Sequence, residues 1–179
     1  MIKVIRTLIA TSVVSASLFA SANLLAADDI AVKVNSDIAS VDVMHNGKKV
    51  TIMRNQDQKN TVNPAFAKTS RKCPPFCIQP MQLAPGVETI GEVEMLGYLK
   101  KMSEGDNSIL VVDSRTPDWV KRGTIPGAVN LPWTKLNPAK GADPISIGEI
   151  MVENFGVKEM EGLWDYSDAK TLVLFCNGM

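Results

Sequence analysis

The 179 residues carry 19 basic and 19 acidic side chains, with 45% hydrophobic and 21% charged residues, the balance of an ordinary globular chain. A neutral chain without a Lys/Arg cluster interleaved with aromatics is poorly suited to a phosphate backbone, so nucleic acid is excluded as a partner. Three cysteines are too few for a disulfide-built scaffold, so the fold must rest on a hydrophobic core of one domain or a little more.

Met1 to Ala26 is set aside from the fold first. Lys3 and Arg6 make a positive start, Leu8 to Phe19 is apolar and small, and Ala20-Ser21-Ala22 supplies the residues a signal peptidase reads. A second cut after Ala26 is also compatible. The competing reading, an uncleaved anchor, rests on the apolar stretch from Thr7 to Ala26, nearly long enough to span a bilayer. Its many Ala and Ser residues and the small-residue site favour cleavage. Removal takes Lys3 and Arg6 and leaves 17 basic against 19 acidic residues. The expectation is a periplasmic or secreted protein in an oxidising compartment, with no stable membrane insertion after cleavage.

From Val32 to Arg54 the chain reads as a β-hairpin about Asn46-Gly47, two residues that tolerate the positive φ of a two-residue turn. Counting outward pairs His45 with Lys48, Val43 with Val50 and Val41 with Ile52, which gathers the apolar side chains on one face. His45, the only histidine, falls at the turn and reads as a solvated turn residue, not a catalytic base. Asn55 to Pro85 is Pro-rich and reads as an extended connector, so residues 27–85 form a hairpin-and-connector region. Within it Cys73-Pro74-Pro75-Phe76-Cys77 admits a local disulfide, a metal site, or a redox pair exchanging with Cys176 or with a partner protein. A metal would need two further ligands, which His45 and the remote Cys176 supply only awkwardly. No metal and no cofactor is expected.

Residues 86–179 read as an α/β domain. Thr89 and Glu92 have capping-box spacing, Ile90, Val93, Leu96, Leu99 or Lys100, and Met102 recur at helical period, and Gly105 stops the helix. Ser108 to Asp113 is a continuous apolar strand ending in a carboxylate. After Thr116-Pro117 a short helical turn carries Trp119, the loop from Gly123 runs into a brief strand near Val129, and Ile147 to Phe155 gives another helix. Thr171 to Phe175 is a final strand too short for a buried helix. Alternating helices and apolar strands predict an open parallel sheet with helices on both faces. Cys176 ends the last strand, where open α/β sheets place ligands, and the amides of Asn177, Gly178 and Met179 would face its sulfur. The opposing reading of a lone cysteine at a strand end is a small buried hydrophobe.

Leu110-Val111-Val112-Asp113-Ser114-Arg115-Thr116-Pro117, then Gly123-Thr124-Ile125-Pro126-Gly127-Ala128-Val129-Asn130-Leu131-Pro132, then a strand ending in Cys176, together resemble a single-domain rhodanese of the thiosulfate sulfurtransferase-like family. The resemblance runs from about Val87 to Met179. It implies that Cys176 is the catalytic cysteine, carrying sulfane sulfur as a persulfide from a small donor such as thiosulfate to a thiol acceptor. Asn177, Gly178 and Met179 then match the start of the active-site loop, and Asp113 and Arg115 the supporting Asp-x-Arg, an ion pair tying the strand end to nearby loops. Thr124 departs from the histidine the family most often has there, and Asp118-Trp119 differs from its usual acidic-aromatic pair. Family members continue past this point with a helix and a further strand, so the domain is expected to be incomplete, its last strand marginal and the chain inactive as it stands.

Two other classes compete. One is a non-catalytic rhodanese-like binding or redox module working through Cys73 and Cys77. The other is a phosphatase-like enzyme on the same fold, whose longer cysteine loop would close on an arginine.

Overall fold

Asn46 and Gly47 take φ of 50° and 74° and turn strand β1 (Ser40–His45) back on β2 (Lys48–Met53). The observed pairs, His45 with Lys48, Val43 with Val50 and Val41 with Ile52, are those expected from the sequence. Val41 and Val43 are buried while Asp42 and Met44 face solvent, as the two-residue period of a strand requires. The computed structural model describes residues 31–64 and 82–177. The export signal expected in residues 1–26, the Cys73/Cys77 pair, Gly178 and Met179 lie outside these.

Helix α1 (Glu92–Ser103) starts after Gly91, two residues later than the Thr89 cap predicts. Gly91 is in extended backbone, and its N–H donates to the Glu94 carboxylate at 3.0 Å, so Glu94 performs the reach-back expected of Glu92. Glu92 instead pairs with Arg54 at the end of the hairpin. Leu96 and Leu99 are the buried positions of α1, and Lys100 stays in solvent.

Three parallel strands make the central sheet in the order β4 (Val129–Asn130), β3 (Ile109–Asp113), β7 (Thr171–Phe175). Successive side chains of β3 serve opposite faces. Val111 joins Leu96, Leu99 and Val173 in one core, to which the hairpin contributes Val41 and Val43. Val112 joins Leu131, Phe155 and Val157 in the other, with Ile150 and Met151 of helix α3 (Pro144–Glu153) packed against it. Helices therefore cover both faces, and each valine fully withdrawn from water contributes about 1.5–3 kcal/mol.

Between these elements lie a one-turn helix α2 (Pro117–Val120) and two short 3₁₀ turns, Trp133–Leu136 and Pro138–Lys140. Helix α3 begins three residues before the expected Ile147. The Asp143 carboxylate accepts from the N–H groups of Ile145 and Ser146 at 3.0 and 2.9 Å, and Pro144 occupies the first turn, where its missing N–H costs nothing. An antiparallel hairpin, β5 (Lys158–Met160) and β6 (Leu163–Asp165), was not anticipated. No helix among the described residues is long and apolar enough to cross a membrane.

Candidate active site at the carboxyl end of the parallel sheet

Asp113 ends β3 with 0% of its surface exposed, and a carboxylate so placed must be fully bonded. Arg115 grips it as a fork, Nε donating to Oδ1 at 2.8 Å and Nη2 to Oδ2 at 2.6 Å. The Arg115 backbone N–H donates to Oδ1 at 3.1 Å, and the Thr124 hydroxyl donates to Oδ2 at 2.7 Å. The guanidinium is the main cause holding the Asp113 carboxyl below its ordinary value of 3.8; burial opposes it, and Thr124 and the Arg115 amide reinforce it. Asp113 is therefore ionised near neutral pH. Arg115 Nη2 also donates to the Gly123 carbonyl at 2.8 Å, which ties the loop before β4 to the end of β3.

The turn after β3 is clamped from both sides. The Ser114 amide and hydroxyl both donate to the Phe175 carbonyl, at 3.0 and 2.9 Å, locking the end of β7 to the turn after β3. On the β4 side, Asn130 Nδ2 donates to the carbonyls of Asp113 and Arg115, each at 2.9 Å. The amides of Leu131 and Trp133 donate to the carbonyls of Asp113 and Ser114. Sequence reasoning did not give Ser114, Thr124 and Asn130 these roles. Each stands inside the two motifs already quoted, and a short hydroxyl or amide side chain beside a buried charge was the available signal.

Cys176 follows β7 directly, exposed and with a free thiol. It is thus not the buried small hydrophobe that a lone strand-end cysteine most often is. The Arg115 guanidinium lies over the ring of the preceding Phe175, 5.6 Å from its centroid. The Asp113 carboxylate is the main cause that raises Arg115 above the usual arginine value, and because Asp113 pairs with Phe175 across β3 and β7 the ion pair sits beside the residue that precedes Cys176. The structure thus gathers Asp113, Arg115 and Cys176 at one end of the sheet. Asn177 is exposed beside the cysteine, while Gly178 and Met179 fall outside the described residues.

His45 belongs elsewhere and is not a freely solvated turn residue. It is half-buried, and its Nδ1 accepts from the Gly127 N–H at 3.1 Å, so the hairpin turn is pinned to the loop before β4. Among the described residues no group of three or more His, Cys, Asp or Glu side chains could hold a metal ion.

Residues 95–179 match the family described as Rhodanese-like domain. The match enters within α1 and takes in every site residue described above, while the hairpin and the connector precede it. Searches of curated proteins and of solved structures returned no match.

Proposed function

The chain carries a rhodanese-like domain over residues 95–179, and we propose that this domain is a sulfurtransferase acting through a persulfide on Cys176. The observation that carries the reading is the exposed Cys176 thiol at the carboxyl end of β7, directly after Phe175, over whose ring the Arg115 guanidinium lies. The thiolate attacks the outer sulfur of a donor such as thiosulfate. The S–S bond of the donor breaks, sulfite leaves with the bonding pair, and Cys176 holds the sulfur as a persulfide anion. An acceptor thiolate then takes that outer sulfur, and the Cys176 thiolate is restored. No oxidant or reductant is consumed across the cycle.

Two features of the chain support this chemistry. The Asp113–Arg115 fork is neutral overall but fixed in orientation, with the guanidinium over the Phe175 ring, so it acts beside Cys176 as a held dipole whose positive part can favour an anionic donor and the anionic persulfide at short range. Ser114 fixes the Phe175 carbonyl, so the cysteine leaves the sheet in one direction and reorganises little during transfer.

The test is to expose the full-length natural gene product to thiosulfate, digest it and look by mass spectrometry for one reductant-labile sulfur atom on Cys176, with Cys176→Ser as control. A sulfur present on Cys176 and missing from the control supports the reading. An unmodified Cys176 refutes it and moves the weight to a binding or redox module. We also propose export, on the strength of the positive, apolar and small-residue order of Met1 to Ala26. Recovery of a mature chain starting after Ala22 or Ala26 outside the cytosol is the expected result, and an intact Met1 terminus in the cytosol would refute it.

A further inference from the structure

Helix α3 presents two apolar stripes where one would suffice. Ile150 and Met151 pack against the core built on Val112, but Ile145 is 76% exposed and Val152 44%, on a second face. A helix apolar on one face alone sits stably at a surface, whereas one apolar on two faces is normally covered on both. Across from this stripe stands Trp164 of β6, itself 40% exposed. Pro144, Ile145, Gly148, Val152 and Trp164 together line a groove of about 460 Å³.

Gly148 makes the groove. A Cβ there would lie 3.3 Å from the Trp164 ring, so glycine lets the indole lie against the helix at a distance that even an alanine would meet only if the ring shifted by a few tenths of an ångström. The rim has one sign of charge, because Glu149, Glu153 and Glu159 are the ionisable side chains lining the groove. None of the three forms an ion pair among the described residues. Lys158, the cation closest in sequence to Glu159, is engaged by Asp168.

We infer that the groove between α3 and the β5–β6 hairpin is a docking site for a cationic peptide segment of a partner protein, with an aliphatic anchor seated on Trp164 and flanking Lys or Arg side chains facing Glu153 and Glu159. The size of the groove selects a segment over a second copy of this chain. A concavity of this volume takes a few side chains, whereas a ten-residue helix and a three-residue strand pair cannot supply the roughly 1,000 Å² or more that a stable dimer interface buries. The rim selects the charge, since a like-charged partner would lose affinity where a cationic one gains it. The inference is independent of the sulfur chemistry, because among the described residues no groove residue is hydrogen-bonded or ion-paired to Asp113 or Arg115.

The probe is a blocked peptide in which lysines alternate with pairs of leucines, titrated into the ¹⁵N-labelled 179-residue chain beside a counterpart with glutamate for lysine. The expected result is saturable binding of the lysine peptide, with amide shifts centred on α3 and the Trp164 indole N–H. Affinity should fall at least tenfold in Glu153→Lys/Glu159→Lys and weaken with added salt. Both substitutions are on the surface, and an unchanged amide spectrum of the free variant establishes its fold. Equal binding of the glutamate peptide, shifts centred elsewhere, an affinity within twofold in the variant, or no saturation would each overturn the inference. So would a concentration-dependent dimer abolished by Ile145→Glu, which would assign the groove to a second copy.

Discussion

Replacing Asp113 by Asn keeps the size of the side chain and removes its charge, and the consequence can be worked from its bonds. The carboxylate accepts four hydrogen bonds, three from Arg115 and one from Thr124. An asparagine can still accept at one oxygen, but its amide nitrogen must then take either the Oδ1 place, facing the Arg115 Nε and backbone N–H, or the Oδ2 place, facing Arg115 Nη2 and the Thr124 hydroxyl, so an Arg115 N–H meets a donor either way. Removing one partner of a buried ion pair costs about 3–5 kcal/mol. Arg115 keeps its bond to the Gly123 carbonyl, so the lower end, about 3 kcal/mol, is expected. With a urea m-value of about 2 kcal/mol per molar, the midpoint falls by about 1.5 M at unchanged slope. The sign of the pH dependence follows from the depressed carboxyl. Asp113 stabilises the fold fully above the ordinary value of 3.8, and its contribution fades as pH falls from there through the lower native value. The gap between wild type and variant should be constant between neutral pH and about pH 5 and should shrink below pH 4. A midpoint shift under about 0.5 M, or a gap that widens in acid, would refute the view that this pair holds the end of β3.

The remaining perturbations address how the hairpins join the fold. Val43→Ala removes two methyl groups from a side chain that is 1% exposed, a loss of about 2 kcal/mol or a melting point lower by about 4–8 °C; a change within 1 °C would mean the hairpin is not part of this core. Gly127→Ala should cost more than about 1 kcal/mol, because φ is +92° and the new Cβ would lie 3.0 Å from Leu99 and 3.6 Å from Val43. Chemical denaturation reads that cost, and a neutral outcome would contradict the close approach of loop and hairpin. Glu161→Asn should stabilise by about 0.5–1 kcal/mol and raise the melting point by about 1–4 °C, since Glu161 holds φ +52°. An unchanged or lower melting point would refute strain at that turn.

The two hairpins show why part of the fold was legible and part was not. Their turns are nearly alike in backbone, with φ of 50° and 74° at Asn46-Gly47 and 52° and 80° at Glu161-Gly162. The first was read to the residue, because asparagine before glycine announces the left-handed pair and the flanking strands alternate cleanly. The second was missed because glutamate gives no such signal. Its strands are three residues each, with almost every side chain exposed, so no burial period marks them. The same contrast holds for the helices. Periodicity placed α1 and α3, but their starts moved by two and three residues, because Glu94 and Asp143 satisfy the free amides where Glu92 and Ile147 were expected to set the boundary. Period reports which face is buried, whereas a boundary depends on which local side chain reaches an N–H group first.

At the candidate site the legible part was the order of charged and apolar residues, and the illegible part was their mutual geometry. Asp113 and Arg115 were identified from the sequence, yet nothing in a linear reading says that Thr124 completes the carboxylate's shell from eleven residues away. Nor does it say that Ser114 holds the carbonyl next to Cys176 from sixty-one residues away. Both contacts arise because β3 is central, with β4 on one side and β7 on the other, so the turn after β3 is the point where the two flanking strands can be tied together. A hydroxyl at Thr124 also bears on the departure from the histidine seen in the resembling family. It donates one short bond to a carboxylate that is already ionised and brings no charge of its own, so the charge balance of the site is that of the Asp113–Arg115 pair, which is neutral overall.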